Sequence, residues 1–221
     1  MQKVSKAVIP CGGLGTRFLP ITKAVPKEIL PIIDTPVLGY IVEEAVQSGI
    51  TDILIVLGKN KEAIKQYFTP SSELEDKLQK AGKEEYVQLL KRITEKCEIH
   101  FTYQKEPKGS ADAVYQAKSF TGKEPFCLAW GDDLIVNEQK PVMKQLIEAY
   151  EKYNTPILGV QHFDGDDIVK YGVARITESF GNAHLCAEIV EKPSLAEIPK
   201  LSRLTSLGRY VLDDRVYAEI E

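Results

Sequence analysis

The chain has 221 residues, 43% of them hydrophobic, enough to bury a full core in one large domain. Its net charge is −4, and the 28 Lys and Arg are dispersed among 32 Asp and Glu, which argues against nucleic-acid binding. Four scattered cysteines and three scattered histidines argue against a zinc site or a disulfide framework; with no run of signal-peptide or membrane-span length, reduced thiols in the cytoplasm are expected.

The first predicted element is a short buried strand, Ala7, Val8 and Ile9, which runs into Gly12, Gly13 and Gly15. Those glycines let the backbone turn sharply and present N–H groups to anionic oxygens, and Arg17, Lys23 and Lys27 follow as countercharge. That order suggests polyphosphate chemistry. A P-loop would need Lys-Ser/Thr after its last glycine, and a dinucleotide fingerprint would need Gly or Ala at Phe18, so neither an ATPase nor a dehydrogenase is favoured. A helix is predicted over 37–46, where Val37, Leu38, Ile41, Val42, Ala45 and Val46 recur at helical spacing ahead of Gly49. After a strand over 53–57, Ser72 and Glu75 read as a capping box. They open an amphipathic segment over 72–95 with Leu74, Leu78, Val87, Leu89, Leu90 and Ile93, broken at Ala81-Gly82. This segment is either core or subunit contact. Strands over 99–103, 126–130 and 157–160 follow, with Gly131-Asp132-Asp133 after the second and a helix over 141–153. Beyond residue 161, strands over 173–177 and 183–190 flank Phe180-Gly181-Asn182 as a hairpin. The alternation implies an α/β fold: a mainly parallel sheet flanked by helices on both faces, with ligands outside the carboxyl ends of its strands. No linker and no repeat divides 1–221, so one domain is expected.

The string GGLGTRFLPITKAVPKEILP, with SSELEDKLQKAGKEEY, Gln104 before KGSADAV, GDD at 131–133, YGV at 171–173, EKP at 191–193 and GRYVL at 208–212, resembles the sugar-phosphate nucleotidyltransferases. TKAVPKEILP is most similar to the bacterial UTP:glucose-1-phosphate uridylyltransferases. The resemblance implies a Rossmann-like nucleotide-binding core over about 1–160 and a sugar-binding part over 161–221 that adds the hairpin. It also implies that a full family member continues beyond GRYVL. By the same resemblance Gly12, Gly13, Gly15 and Thr16 cover the nucleotide, Arg17 pairs with the β and γ phosphates, and Lys27 holds the α-phosphate. Gln104 and Gly109 meet the base; Asp132 holds Mg²⁺; Gly172, Val173, Glu191 and Lys192 form the sugar pocket, with Lys192 on the sugar's phosphate. Asp213, after GRYVL, stands where thymidylyltransferases carry a second metal carboxylate, and capping of the last helix is the other reading.

The implied reaction is in-line attack of glucose-1-phosphate on the α-phosphorus of UTP, giving UDP-glucose and pyrophosphate, in a homo-oligomer (dimer or tetramer). A sugar phosphate, with a second pKa of about 6, is already largely the dianion at neutral pH, so positioning and charge neutralisation carry the transfer. The base is the open point. Gln104 is expected to pair with both O4 and N3–H of uracil, yet KGSADAV is closer to what adenylyl- and some thymidylyltransferases carry. Alternatives are therefore a thymidylyl- or adenylyltransferase acting on a hexose-1-phosphate, or a non-catalytic nucleotide-sugar binding module.

Overall fold

The computed structural model describes residues 3–92, 94–106, 108–137 and 139–221, so Ile93 lies outside the described residues. Strand β1 (Lys6–Cys11) leads through single turns of 3-10 helix to the short pair β2 (Pro31–Ile32) and β3 (Thr35–Pro36) and to helix α1 (Val37–Gln47). Then come β4 (Asp52–Leu57), α2 (Glu62–Phe68), α3 (Ser72–Lys80), α4 (Glu84–Lys91) and β5 (Glu98–Tyr103). They are followed by α5 (Ser110–Tyr115), α6 (Lys118–Thr121), β6 (Phe126–Ala129), α7 (Val142–Tyr153) and β7 (Ile157–His162). The hairpin β8 (Gly172–Phe180) and β9 (Ala183–Glu191), the long β10 (Leu204–Leu212) and α8 (Arg215–Ile220) complete the order.

Ala7, Val8 and Ile9 form a continuous apolar run because β1 is covered on both faces, and successive side chains of a strand point opposite ways. Ala7 and Ile9 pack with Leu38, Ile41 and Val42 of α1 and with Met143 and Ile147 of α7. Val8 packs on the other side with Ala113 and Val114 of α5 and Tyr217 of α8. β1 pairs in parallel with β4 and β6, and β4 with β5. β10 runs antiparallel to β6, β7 and β8, which makes the 8-stranded sheet mixed but mainly one-directional.

The parallel register delivers the ends of β1, β4, β5 and β6 to a single edge, where the following loops gather. Only residues 209–212 of β10 pair with β6, Arg209 opposite Ala129 and Leu212 opposite Phe126. Its first half therefore projects past that edge, roughly 13 Å from Arg209 to Thr205. There Thr205 pairs with Val173, holding the β8–β9 hairpin beyond the same edge.

Two local expectations shift. Glu75 Oε1 accepts from the Ser71 N–H at 3.2 Å, so the cap sits one residue ahead of Ser72. The amphipathic segment divides after Lys80 as read, but Val87 is its buried residue while Leu74, Leu89 and Leu90 are exposed. It is not core in this chain.

Candidate active site

The glycine loop leaves β1 and turns at Gly15, whose φ of 68° is left-handed. Its carbonyl accepts from Thr22 Oγ1 at 2.8 Å. Lys27 lies over the loop: a Cβ on Gly13 would stand 2.9 Å from its Nζ. That Nζ donates to Asp132 Oδ2 at 2.5 Å, joining the glycine loop to the turn after β6. Among the described residues Oδ1 of Asp132 accepts no hydrogen bond, and the residue is exposed. Thr16 and Arg17 are exposed on the same loop, and no ion pair holds Arg17 among the described residues.

A buried pair fixes this arrangement from beneath. Lys61, at the start of α2, donates to Glu28 Oε2 at 2.7 Å and to the Gly13 carbonyl at 2.9 Å. Glu28 and Lys61 are 1% and 6% exposed. Glu28 follows Lys27 directly, so the strut holds both the loop and the segment carrying its cation. Neither residue was singled out from sequence, because a pair 33 positions apart leaves no local pattern.

A second strut sets the carboxylate turn. Arg209 is fully buried; its Nε and Nη2 donate to Glu44 Oε2, and Nη2 also donates to the Asp133 carbonyl at 2.7 Å. Glu44 Oε1 in turn accepts from the Met143 N–H. Burial, then the like charge of Asp132, push the Asp133 carboxyl above its ordinary range, against the pull of Arg209, Lys27 and Arg17. Gly208 (φ 66°) makes room for it, since a Cβ there would lie 2.4 Å from Asp133 Oδ2.

At Gln104, where the base is expected, Nε2 donates to Asp112 Oδ2 at 2.7 Å and to the Gly109 carbonyl at 3.0 Å. Both amide hydrogens are taken, so the expected two-point pairing with O4 and N3–H of uracil is not available from this geometry. In the group expected to meet the sugar, the Lys192 N–H donates to the Tyr171 carbonyl at 3.1 Å, and its ammonium lies 3.6 Å from Glu191 Oε1. A Cβ on Gly172 would stand 3.1 Å from Glu191 Oε2, so Gly172 and Glu191 adjoin. Val173 is turned inward, packed with Ile168 and Ile198, and only its main chain can face a ligand. No hydrogen bond or ion pair among the described residues links the Glu191–Lys192 group to the Lys27–Asp132 group.

Asp213 is placed elsewhere. Because β10 runs against β6, Asp213 lies at the opposite end of β6 from Asp132, roughly 13 Å or more away. Its oxygens accept from Arg215 Nε at 2.8 Å, Arg215 Nη2 at 2.6 Å, the Arg215 N–H and the Tyr150 hydroxyl. The metal reading of Asp213 is thereby corrected: its carboxylate secures the start of α8. The Asp52, Glu98 and His100 cluster also lies at the wrong edge, where β4 and β5 begin. The exposed Asp132 carboxylate suits Mg²⁺, which takes few protein ligands and fills its shell with phosphate oxygens and water.

The family model described as nucleotidyl transferase matches residues 6–221. The chain is 46% identical over 220 residues to the UTP–glucose-1-phosphate uridylyltransferase YngB of Bacillus subtilis, covering 100% of this chain and 73% of that protein. It is 47% identical to UTP–glucose-1-phosphate uridylyltransferase 2 of Staphylococcus saprophyticus, covering 98% and 74%. Among solved structures, an apo UDP-glucose pyrophosphorylase superposes with a TM-score of 0.90 at 36% identity, over 98% of this chain and 79% of that one. A UTP-bound enzyme from Acinetobacter baumannii superposes with a TM-score of 0.90 at 32% identity, over 97% and 76%.

Proposed function

The chain belongs to the nucleotidyl transferase family, and from that premise we propose that it transfers a uridylyl group from UTP to glucose-1-phosphate, releasing pyrophosphate. The observation that carries the reading is the contact of Lys27 with Asp132, which brings a phosphate-seeking cation and a metal-binding carboxylate to one point above the glycine loop. The two named uridylyltransferase relatives and the UTP-bound neighbour support the substrate.

In this reading the N–H groups of Gly12, Gly13 and Gly15, with Thr16 and Arg17, seat the triphosphate; Arg suits the β and γ phosphates through its planar donor fork. Lys27 leaves Asp132 for the α-phosphate, where charge develops. Lys192 holds the sugar's phosphate in line, and Glu191 accepts sugar hydroxyls beside Gly172. Asp132 would hold Mg²⁺, which when bound supplies countercharge to the phosphate oxygens. No side chain needs to take a proton from the nucleophile, already largely a dianion at neutral pH. The exposed apolar side chains of α3 and α4 support the expectation of a homo-oligomer, measurable by light scattering. No helix is long and apolar enough to cross a membrane among the described residues.

The test crosses four nucleoside triphosphates with glucose-1-phosphate and its epimers, following pyrophosphate. Release that requires UTP, glucose-1-phosphate and Mg²⁺ together is expected. A clear ATP preference selects the adenylyl alternative, and nucleotide binding without release selects the binding module.

A further inference from the structure

Gln104 follows β5 and is 8% exposed. Its amide nitrogen is bound on two sides, by Asp112 Oδ2 and by the Gly109 carbonyl. A carboxylate and a carbonyl can only accept, so the amide cannot turn over without setting Oε1 against two acceptors. Oε1 points instead toward Gly12, where an added Cβ would lie 3.0 Å from it. Among the described residues nothing donates to Oε1, and no fully buried side-chain oxygen is left unpaired, so this atom reaches the cleft beside the glycine loop.

We infer that Asp112 is a positioning residue that locks Gln104 as a hydrogen-bond acceptor and makes the site select pyrimidines carrying a hydrogen on N3. The inference rests on the reading of Gln104 as the base contact. With the triphosphate seated on the glycine loop, the same ring position meets Oε1 in every pyrimidine nucleotide. Uracil and thymine present N3–H there. Cytosine presents a lone pair, so two acceptors face each other. Asp112 also accepts a long contact from Gln116 Nε2 at 3.4 Å through Oδ1, which leaves Oδ2 to Gln104.

Equilibrium binding of UTP and CTP, measured by calorimetry with Mg²⁺, tests the lock. The wild type should bind UTP at least about tenfold more tightly than CTP. Asp112→Asn keeps the shape but can offer its NH₂, which removes one of the two acceptors set against a turned Gln104 amide and leaves the Gly109 carbonyl; the preference should fall at least about threefold, mainly by tighter CTP binding. Gln104→Leu removes the acceptor, and adding Asp112→Asn to it should change the remaining ratio by less than about twofold. A preference unchanged by Asp112→Asn, no UTP preference in the wild type, or no nucleotide binding overturns the inference. A chain that binds UTP selectively but releases no pyrophosphate overturns the transferase reading and leaves the lock standing.

Discussion

Lys27 Nζ and Asp132 Oδ2 lie 2.5 Å apart, so a phosphate oxygen must compete with this carboxylate for the ammonium. Asp132→Asn frees the ammonium and removes a negative charge beside the phosphate seat. UTP binding without Mg²⁺, followed by calorimetry, should therefore tighten several-fold, while Mg²⁺-supported turnover falls by orders of magnitude. The lysines should fail in different ways. Lys27→Ala should lower kcat about 10²–10³-fold by removing transition-state charge stabilisation. Lys192→Ala should chiefly raise the KM for glucose-1-phosphate, because it removes a ground-state contact; steady-state kinetics on both variants separates the two. Asp213 belongs to stability instead. The Arg215 hydrogen bonds hold its carboxyl below the ordinary range, so its contribution is present above the unfolded value near ~3.9 and fades as pH falls through the lower folded value. Thermal unfolding of Asp213→Asn should show a melting temperature about 2–4 °C below wild type at pH 7, a gap that closes as pH falls below about 4. Sequence could not separate metal from cap at this residue, because the choice turns on the direction of β10 against β6.

At the scale of elements, the Lys61–Glu28 pair ties the start of α2 to the glycine loop and to the turn carrying Lys27. Lys61→Met strands a buried carboxylate and should cost about 3–5 kcal/mol in urea unfolding. Adding Glu28→Gln should recover much of that loss without restoring the hold on Gly13, so stability and activity should part company in the double variant. β1, β4 and β6 were legible because strands buried on both faces read as unbroken apolar runs, whereas β5, at the sheet edge, alternates Ile99 and Phe101 with exposed His100 and Tyr103. β10 carries the GRYVL motif without reading as a strand from sequence: Gly208 and the fully buried Arg209 interrupt its apolar pattern, and only their partners, Asp133 and Glu44, explain them. The α3–α4 break at Ala81-Gly82 was legible, but its apolar residues do not say what covers them.

Across the whole molecule, the candidate site residues that sequence offers sit on motifs where chemistry restricts the choice of side chain, as in the glycine loop, GDD and EKP. What supports them was not legible, since Glu28 with Lys61 and Glu44 with Arg209 join distant parts of the chain, the latter 165 positions apart. The same long-range assembly gives β10 an unusual mechanical place. Residues 209–212 are fastened to β6, while Thr205 carries the hairpin, and the register of β10 against β7 slips between Ser206 and Tyr210, at Gly208. β10 is a splint across two borders of the sheet, its last residues locked to β6 and its first laid on β7, with the irregularity between them. Leu204, Thr205 and Ser206 lie against His162, Gln161 and Val160 of β7, so the hairpin hangs from a braced strand. A Cβ on Gly208 would lie 2.4 Å from Asp133 Oδ2, so the placement of the hairpin and the shape of the carboxylate turn are both drawn from this one strand.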